Sequence, residues 1–343
     1  MPQEHEWNRK YVFVCGLHRS GTSVLGRNVG RLEDCTPFKN TPFYIGTSLH
    51  IDEGEHLQDI YPLDLELGGP GRFGFDPRAH RTENSPLLTL ENMARLRASW
   101  HRYWDKSKMI CVEKTPGNIL MTRFLQAVFP NSYFIVIRRH PIAVSMSTQR
   151  MWSVKITSLH RLFEHWLHCY ELFEQDNKHL RHVYELTYED YIGDPAKYHQ
   201  EIAAFIGTRV PESGMEDVRR ANNKKYLDRW STLLKQAGTQ SYCRYIARKY
   251  EPRVAKYGYS LTTGLNLAEK ELCARDKTSA AVGAVYCLRA DVSAFLRRFH
   301  TLVPKLLIQA ILPDFILGRI RRARRSAALR KGEAVPENMT PQI

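Results

Sequence analysis

Between residues 16 and 23 the chain reads Gly-Leu-His-Arg-Ser-Gly-Thr-Ser, which places hydroxyls, backbone amides and one guanidinium in a single short turn. The apolar run Tyr11 to Cys15 precedes it, and Val24, Leu25 and Leu32 return at helical spacing after it, so the order is strand, loop, helix. Such a junction aims N–H groups and the positive end of a helix dipole at one point, and that point favours an anion. Gly16 and Gly21 have the separation of the Walker nucleotide loop. The motif's lysine is missing, however: Thr22 and Ser23 follow Gly21, and the loop's cation is Arg19, ahead of the second glycine. A cation there suits one phosphate lying in the loop rather than β- and γ-phosphates beside magnesium.

Three other groups of residues could do chemistry. Asp52, Glu53, Glu55 and His56 form a dense titratable cluster in a stretch, 35 to 86, that is rich in Gly, Pro, Asp and His. A solvated acidic turn is the plain reading, and a pocket-shaping loop is the functional one. Lys114, in Glu-Lys-Thr-Pro-Gly-Asn, follows a short strand read as Met109 to Val112, and ligands of open α/β sheets bind beyond such strand ends. From position alone, a surface lysine is the plainer reading. Arg138, Arg139, His140 and Pro141 close the buried strand pattern Ser-Tyr-Phe-Ile-Val-Ile, and a helix bearing Ser145 and Ser147 follows.

The elements that must position these groups alternate. Helices are expected over 87–105, 118–129 and 157–173, a fourth strand in His-Val-Tyr-Glu-Leu-Thr-Tyr-Glu-Asp-Tyr, and a helix opened by Asp194-Pro195. Strand–helix alternation indicates a mostly parallel sheet. Ala-Asn-Asn-Lys-Lys-Tyr-Leu-Asp-Arg-Trp, 221 to 230, reads as an ordered loop with aromatic anchors.

With 343 residues the chain can bury one large α/β domain and an appendage. Its formal charge of +14 favours anionic partners without choosing among nucleotide, glycan, lipid and nucleic acid. Seven cysteines, an odd number with no Cys-x-x-Cys pair, read as reduced core residues. The N-terminus has no apolar signal region and nowhere do about 18 apolar residues run uninterrupted, so no anchor is expected. The apolar stretch 302–318, broken by Pro304, Lys305, Pro313 and Asp314, leads into Gly-Arg-Ile-Arg-Arg-Ala-Arg-Arg. It reads either as an interfacial element on an anionic membrane or as a helix packed on the core or a partner.

Taken together, these residues make the chain resemble the sulfotransferases that use 3′-phosphoadenosine 5′-phosphosulfate (PAPS), in particular the group of bacterial carbohydrate and tyrosylprotein-type enzymes. The resemblance covers roughly residues 11 to 230. It implies a P-loop-like, three-layer α/β fold with a mostly parallel central sheet flanked by helices. The catalytic domain would span 1–260, followed by a helical, basic extension over 261–330 and a disordered tail over 331–343.

The resemblance also implies roles. Gly16, His18, Arg19, Ser20, Gly21, Thr22 and Ser23 would bind the 5′-phosphosulfate. Arg139 and Ser147, at the family's spacing of eight, would bind the 3′-phosphate, with Arg138 as the register alternative. Tyr188 would lie against the adenine or the 3′-phosphate, and Lys225, Tyr226 and Trp230 would close over the nucleotide. Lys114 would sit by the bridging oxygen and, with Arg19, assist the departing sulfuryl group. Glu55 is the first choice for the base that takes the acceptor proton, followed by His56 and Glu53. No metal is expected, and no nucleic acid. The acceptor would be a hydroxyl on a glycan, lipid or small metabolite, and the location cytoplasmic with peripheral membrane association. The competing readings are a non-catalytic polyanion- or membrane-binding protein with a degenerate loop and, less favoured, a nucleoside-triphosphate kinase.

Overall fold

The computed structural model describes residues 9–44, 48–151, 157–218, 223–263, 265–266, 270–271, 273 and 278–311, with backbone alone at 151 and 297–311. Among these residues lies a five-stranded sheet in the order β2-β3-β1-β4-β5 with every pairing parallel. Its strands are β1 (Lys10–Gly16), β2 (Cys35–Thr36), β3 (Ile110–Lys114), β4 (Ser132–Arg138) and β5 (Val183–Thr187).

The alternation of β1 explains the layering. Tyr11, Phe13 and Cys15 point to one face and join a large aromatic core, whereas Val12 and Val14 point to the other and meet smaller aliphatic side chains. The first face is covered by α2 (Leu90–His101), α3 (Thr122–Val128), α5 (Leu159–Asn177), α8 (Lys224–Lys235) and α9 (Gln240–Ala255). The second is covered by α1 (Thr22–Val29), α6 (Tyr188–Gly193) and α7 (Pro195–Ile206). The helix α4 (Pro141–Met151) leads from β4 toward α5, and α10 (Ala280–Ile311) leans on α9. That makes three layers, helix, sheet and helix, the α/β architecture that the alternation indicated.

Several local expectations need correction. β3 runs on through Glu113 and Lys114 instead of stopping at Val112, because Glu113 is fully buried and its carboxylate takes the Gly54 N–H at 2.8 Å and donors from Thr115 and Asn118. The single helix expected over 118–129 is divided at Met121. A 3₁₀ turn, Pro116–Leu120, comes first, and Gly117 there passes so close to Asp64 that a Cβ would fall 2.3 Å from its Oδ2. The loop expected at 221–230 is instead helical from Lys224, since Tyr226, Trp230 and Leu234 recur every fourth residue and are buried together. The helix expected over 87–105 starts only at Leu90, where the Thr89 side chain accepts from the Asn92 N–H.

Leu261, Leu265 and Cys273 are buried in the large layer. α10 presses Gly283 onto Tyr245, leaving no room for a side chain, and its Asp291 takes the Ser158 hydroxyl at 2.5 Å and Arg161 at 2.9 Å. The apolar stretch from 302 is helical as far as Ile311; residues 312–343 lie outside the described residues. No helix among the described residues is long and apolar enough to cross a membrane.

Candidate active site

The chemistry-bearing residues of the sequence gather at the carboxyl ends of β1, β3, β4 and β5, where parallel sheets of this kind hold their ligands. The strand ends are level: Val14 pairs with Lys114, Gly16 with Ile137, and Arg138 with Thr187.

After β1 the chain turns through Arg19, whose φ of 70° is left-handed although it is not glycine. Ser20 and Thr22 are buried, Ser23 is exposed, and Gly21 caps α1 with φ 99°. Only glycine fits there. A Cβ on Gly21 would lie 2.5 Å from the Tyr188 ring, so the loop and the start of α6 are in direct contact. The first amides of α1 have no intrahelical acceptors and face the loop.

Arg139 is the other half. It is 5 % exposed, and its guanidinium lies 4.1 Å from the Tyr188 ring centroid and 5.9 Å from that of Tyr226. Its Nη1 donates to the Arg19 carbonyl at 2.9 Å and its Nε to Asn223 Oδ1 at 2.8 Å. Its Nη2 is buried and has no partner among the described residues. Burial pulls this guanidinium below the ordinary arginine value. Arg19 in turn donates from Nε to Ser147 Oγ at 3.0 Å, so the loop cation and the β4–α4 hydroxyl are joined across 128 positions of sequence. Arg138, the alternative register, is committed elsewhere: it pairs with Glu185 at 2.8 Å and lies over Tyr170 and Tyr257.

Opposite the loop sits the acidic cluster. Lys114 is 7 % exposed, and α1 crosses its stem at Gly26; its Nζ is 2.7 Å from Glu53 and 3.2 Å from Asp52. Burial, the largest single effect, works against its charge, but Glu53 and Asp52 together raise its pKa. Glu55 is buried, accepts the Asp64 N–H at 2.8 Å, and lies 3.5 Å from His56 Nε2. Burial and the neighbouring Asp64 push its carboxyl well up. Burial likewise raises Asp64 and Glu113 to about 7 each, and lowers His56. His18 joins the two halves: it is 3.8 Å from Asp64, feels the charges of Glu53, Lys114, Arg19 and His56, and is pushed down to about 4 chiefly by burial. Ligand atoms of Glu53, Glu55 and His56 lie within 4.8 Å of one another, although Glu53 is already held by Lys114.

This combination is a loop of backbone amides and hydroxyls carrying one cation, a separate buried arginine whose Nη2 has no partner among the described residues, and a lysine held by an acid–imidazole cluster. The model of the sulfotransferase family matches residues 12–212 of the 343. The chain belongs to the sulfotransferase family. Among solved structures the sulfotransferase is similar to one from Mycobacterium tuberculosis, with TM-score 0.46 and 16 % identity over 62 % of this chain and 71 % of that one. It is also similar to the sulfotransferase domain of the Synechococcus olefin synthase, with TM-score 0.42 and 16 % identity over 73 % of this chain and 95 % of that one. The sulfotransferase domain of the curacin biosynthetic pathway gives TM-score 0.40 and 16 % identity over 73 % and 97 %. No curated protein sequence matches it.

Of the residues singled out in the sulfotransferase sequence, Arg19, Gly21, Arg139, Ser147, Tyr188 and Tyr226 form one connected group, and Glu53, Glu55, His56 and Lys114 another. Lys225 is exposed, its ammonium 5.0 Å from the Tyr226 ring centroid. Trp230 does not join: it is fully buried, donating to the Leu261 carbonyl at 2.7 Å. Sequence reasoning passed over Asn223, Glu113 and Asp64. Asn223 stood inside a quoted motif but carried no charge, and Asp64 has no local signal because its partners come from other segments.

Proposed function

We propose that this sulfotransferase moves the sulfuryl group of PAPS to an acceptor hydroxyl, with a carbohydrate or lipid-linked acceptor favoured. The observation that carries the reading is the buried Nη2 of Arg139, which has no partner among the described residues, a donor edge separated from the Arg19 loop and suited to a second phosphate. A triphosphate site needs no such edge but does need a lysine where Thr22 stands.

The residues divide the work as follows. The Gly16–Ser23 loop with Arg19 holds the 5′-phosphate, while Arg139 and Ser147 hold the 3′-phosphate beside Tyr188, and Lys225 and Tyr226 flank it. The sulfur–oxygen bond to the 5′-phosphate breaks as the acceptor oxygen bonds to sulfur in line, and the phosphate oxygen keeps the electron pair. Lys114 lies at the turn facing that oxygen and neutralises its charge. The Glu55–His56 pair takes the acceptor proton. His56 is its more open end and, with its pKa lowered, is neutral near pH 7, while Glu55 orients the ring; Glu53 keeps Lys114 in place. Residues 1–260 form the catalytic unit in this reading.

Calorimetry tests it. Binding of adenosine 3′,5′-bisphosphate without binding of ATP and magnesium is expected, and Arg19→Ala should abolish label transfer from PAPS to a panel of hydroxyl acceptors. Tight ATP binding would select a kinase, and binding of neither nucleotide a non-catalytic polyanion-binding protein.

Peripheral contact with an anionic membrane is part of the same reading. Val282, Val285, Leu288, Val292, Phe295 and Leu296 are exposed along the side of α10 turned away from Gly283, Asp291 and Ala294. The sequence that follows has seven Lys or Arg and no acid between 319 and 331. The full chain should float with vesicles of anionic phospholipid and not with neutral ones, and Leu288→Glu with Leu296→Glu should weaken flotation. Equal flotation of that variant would remove α10 from the contact.

A further inference from the structure

Arg139 can recognise a phosphate only if its planar guanidinium is held with one edge outward, and two of its three nitrogens are held by groups that have no direct part in binding. Nη1 rests on the Arg19 carbonyl and Nε on Asn223 Oδ1. Asn223 then donates from Nδ2 to Glu189 Oε1 at 2.6 Å. This amide orientation is forced, because an arginine can only donate and a carboxylate only accept. Glu189 is fixed from three sides: Oε1 also takes the His140 N–H at 3.1 Å, and Oε2 takes the Tyr259 hydroxyl at 2.9 Å. Tyr259 is seated against the His140 ring, 5.0 Å between centroids.

Glu189 follows Tyr188, whose ring supports the face of the same guanidinium. The turn after β5 therefore supplies both the platform and the anchor of the chain of bonds. The two remaining members, Asn223 and Tyr259, lie beyond residue 212, where the match to the family model ends. The segment that the family model does not describe thus completes the support of Arg139.

We propose that Asn223 and Glu189 are positioning residues that hold Arg139 with Nη2 turned toward a 3′-phosphate, with Tyr259 fixing Glu189 in turn. This rests on the donor assignment above. Asn223 and Glu189 make the preference for a 3′-phosphorylated nucleotide, and the 5′ side of the site does not depend on them. Without Asn223 the guanidinium keeps its charge and its place over Tyr188 but can rotate about the Cδ–Nε bond.

The test is the ratio of two affinities, for adenosine 3′,5′-bisphosphate and for adenosine 5′-monophosphate, measured by calorimetry on the full chain. Wild type should prefer the bisphosphate, and Arg139→Ala should abolish the preference. Asn223→Ala and Glu189→Ala should each weaken bisphosphate binding about tenfold, as expected for a hydrogen bond to a charged group, and leave monophosphate binding unchanged. Glu189→Gln, which can still accept from Asn223, should recover most of the loss. A merely structural role would weaken both nucleotides alike, and that result would overturn the proposal, as would variants that keep the wild-type ratio. If wild type itself shows no preference, the donor assignment fails and the positioning role with it, an outcome separate from unchanged variants of a discriminating enzyme.

Discussion

Lys114→Met separates the stem of this residue from its charge. The stem fills the space where α1 crosses β3, since a Cβ on Gly26 would lie 2.8 Å from Lys114 Cγ, and methionine preserves most of that contact. What it removes is the ammonium at 2.7 Å from Glu53 and 3.2 Å from Asp52. Stranding a fully buried partner costs about 3 to 5 kcal/mol, but the Glu53 side chain is 18 % exposed and that of Asp52 54 %, so both can rehydrate. The stability loss should therefore be about 1 to 2 kcal/mol, read from urea unfolding. The catalytic loss should be larger. Removing one fixed charge or donor from a developing oxyanion costs about a hundred to a thousand fold in kcat. Single-turnover transfer of label from PAPS to an acceptor that gives turnover measures it, alongside calorimetry with adenosine 3′,5′-bisphosphate, whose Kd should move less than about threefold. Retention of wild-type kcat, or an equal loss in nucleotide affinity, would refute a role for Lys114 confined to the departing charge.

Two further outcomes follow from the geometry. Gly21→Ala combines a left-handed φ with a Cβ 2.5 Å from Tyr188; it should cost about 2 to 4 kcal/mol of stability and, by displacing the ring that supports Arg139, abolish nucleotide binding, as thermal melts with and without nucleotide would show. The Glu113 carboxyl is raised by burial from its ordinary 4.5 to about 7, so the fold binds that proton more tightly than the unfolded chain. Its contribution is full below about pH 4.5 and is lost as pH rises through about 7, a fall of about 3 kcal/mol. Unfolding measured from pH 4.5 to 8 should show at least that fall, because Asp64 and Glu55 are raised in the same direction, and Glu113→Gln should remove about 3 kcal/mol of it; an unchanged slope in the variant would assign the effect to those groups.

The parts of this protein that were legible in its sequence are those governed by neighbours in the chain. The run Tyr11–Cys15, the two glycines around Arg19 and the helical return of Leu25 specify a strand–loop–helix junction from local periodicity alone, and that junction is present. The same holds for β4 and α4, where an unbroken apolar strand meets Pro141. Segment 221–230 misled because Asn-Asn-Lys-Lys reads as loop, whereas the burial of Tyr226 and Trp230 against α4 and α9 decides its helix. β3 misled in the opposite direction: a glutamate marks a strand end only if it reaches water, and Glu113 does not.

The composition and local pattern of the chain were enough to determine a parallel α/β sheet, a strand–loop–helix junction through Arg19, and a family. What they could not determine is which charges are spent and which are free. Whether Arg138 or Arg139 faces the site depends on Glu185, Tyr170 and Tyr257 taking the former, contacts that span up to 119 positions. Arg139 is held by Arg19 and Asn223, and Asn223 in turn by Glu189, three residues far apart in the sequence. Hydrogen bonds and desolvation act over a few ångströms of space, and only the folded chain brings those residues within that distance.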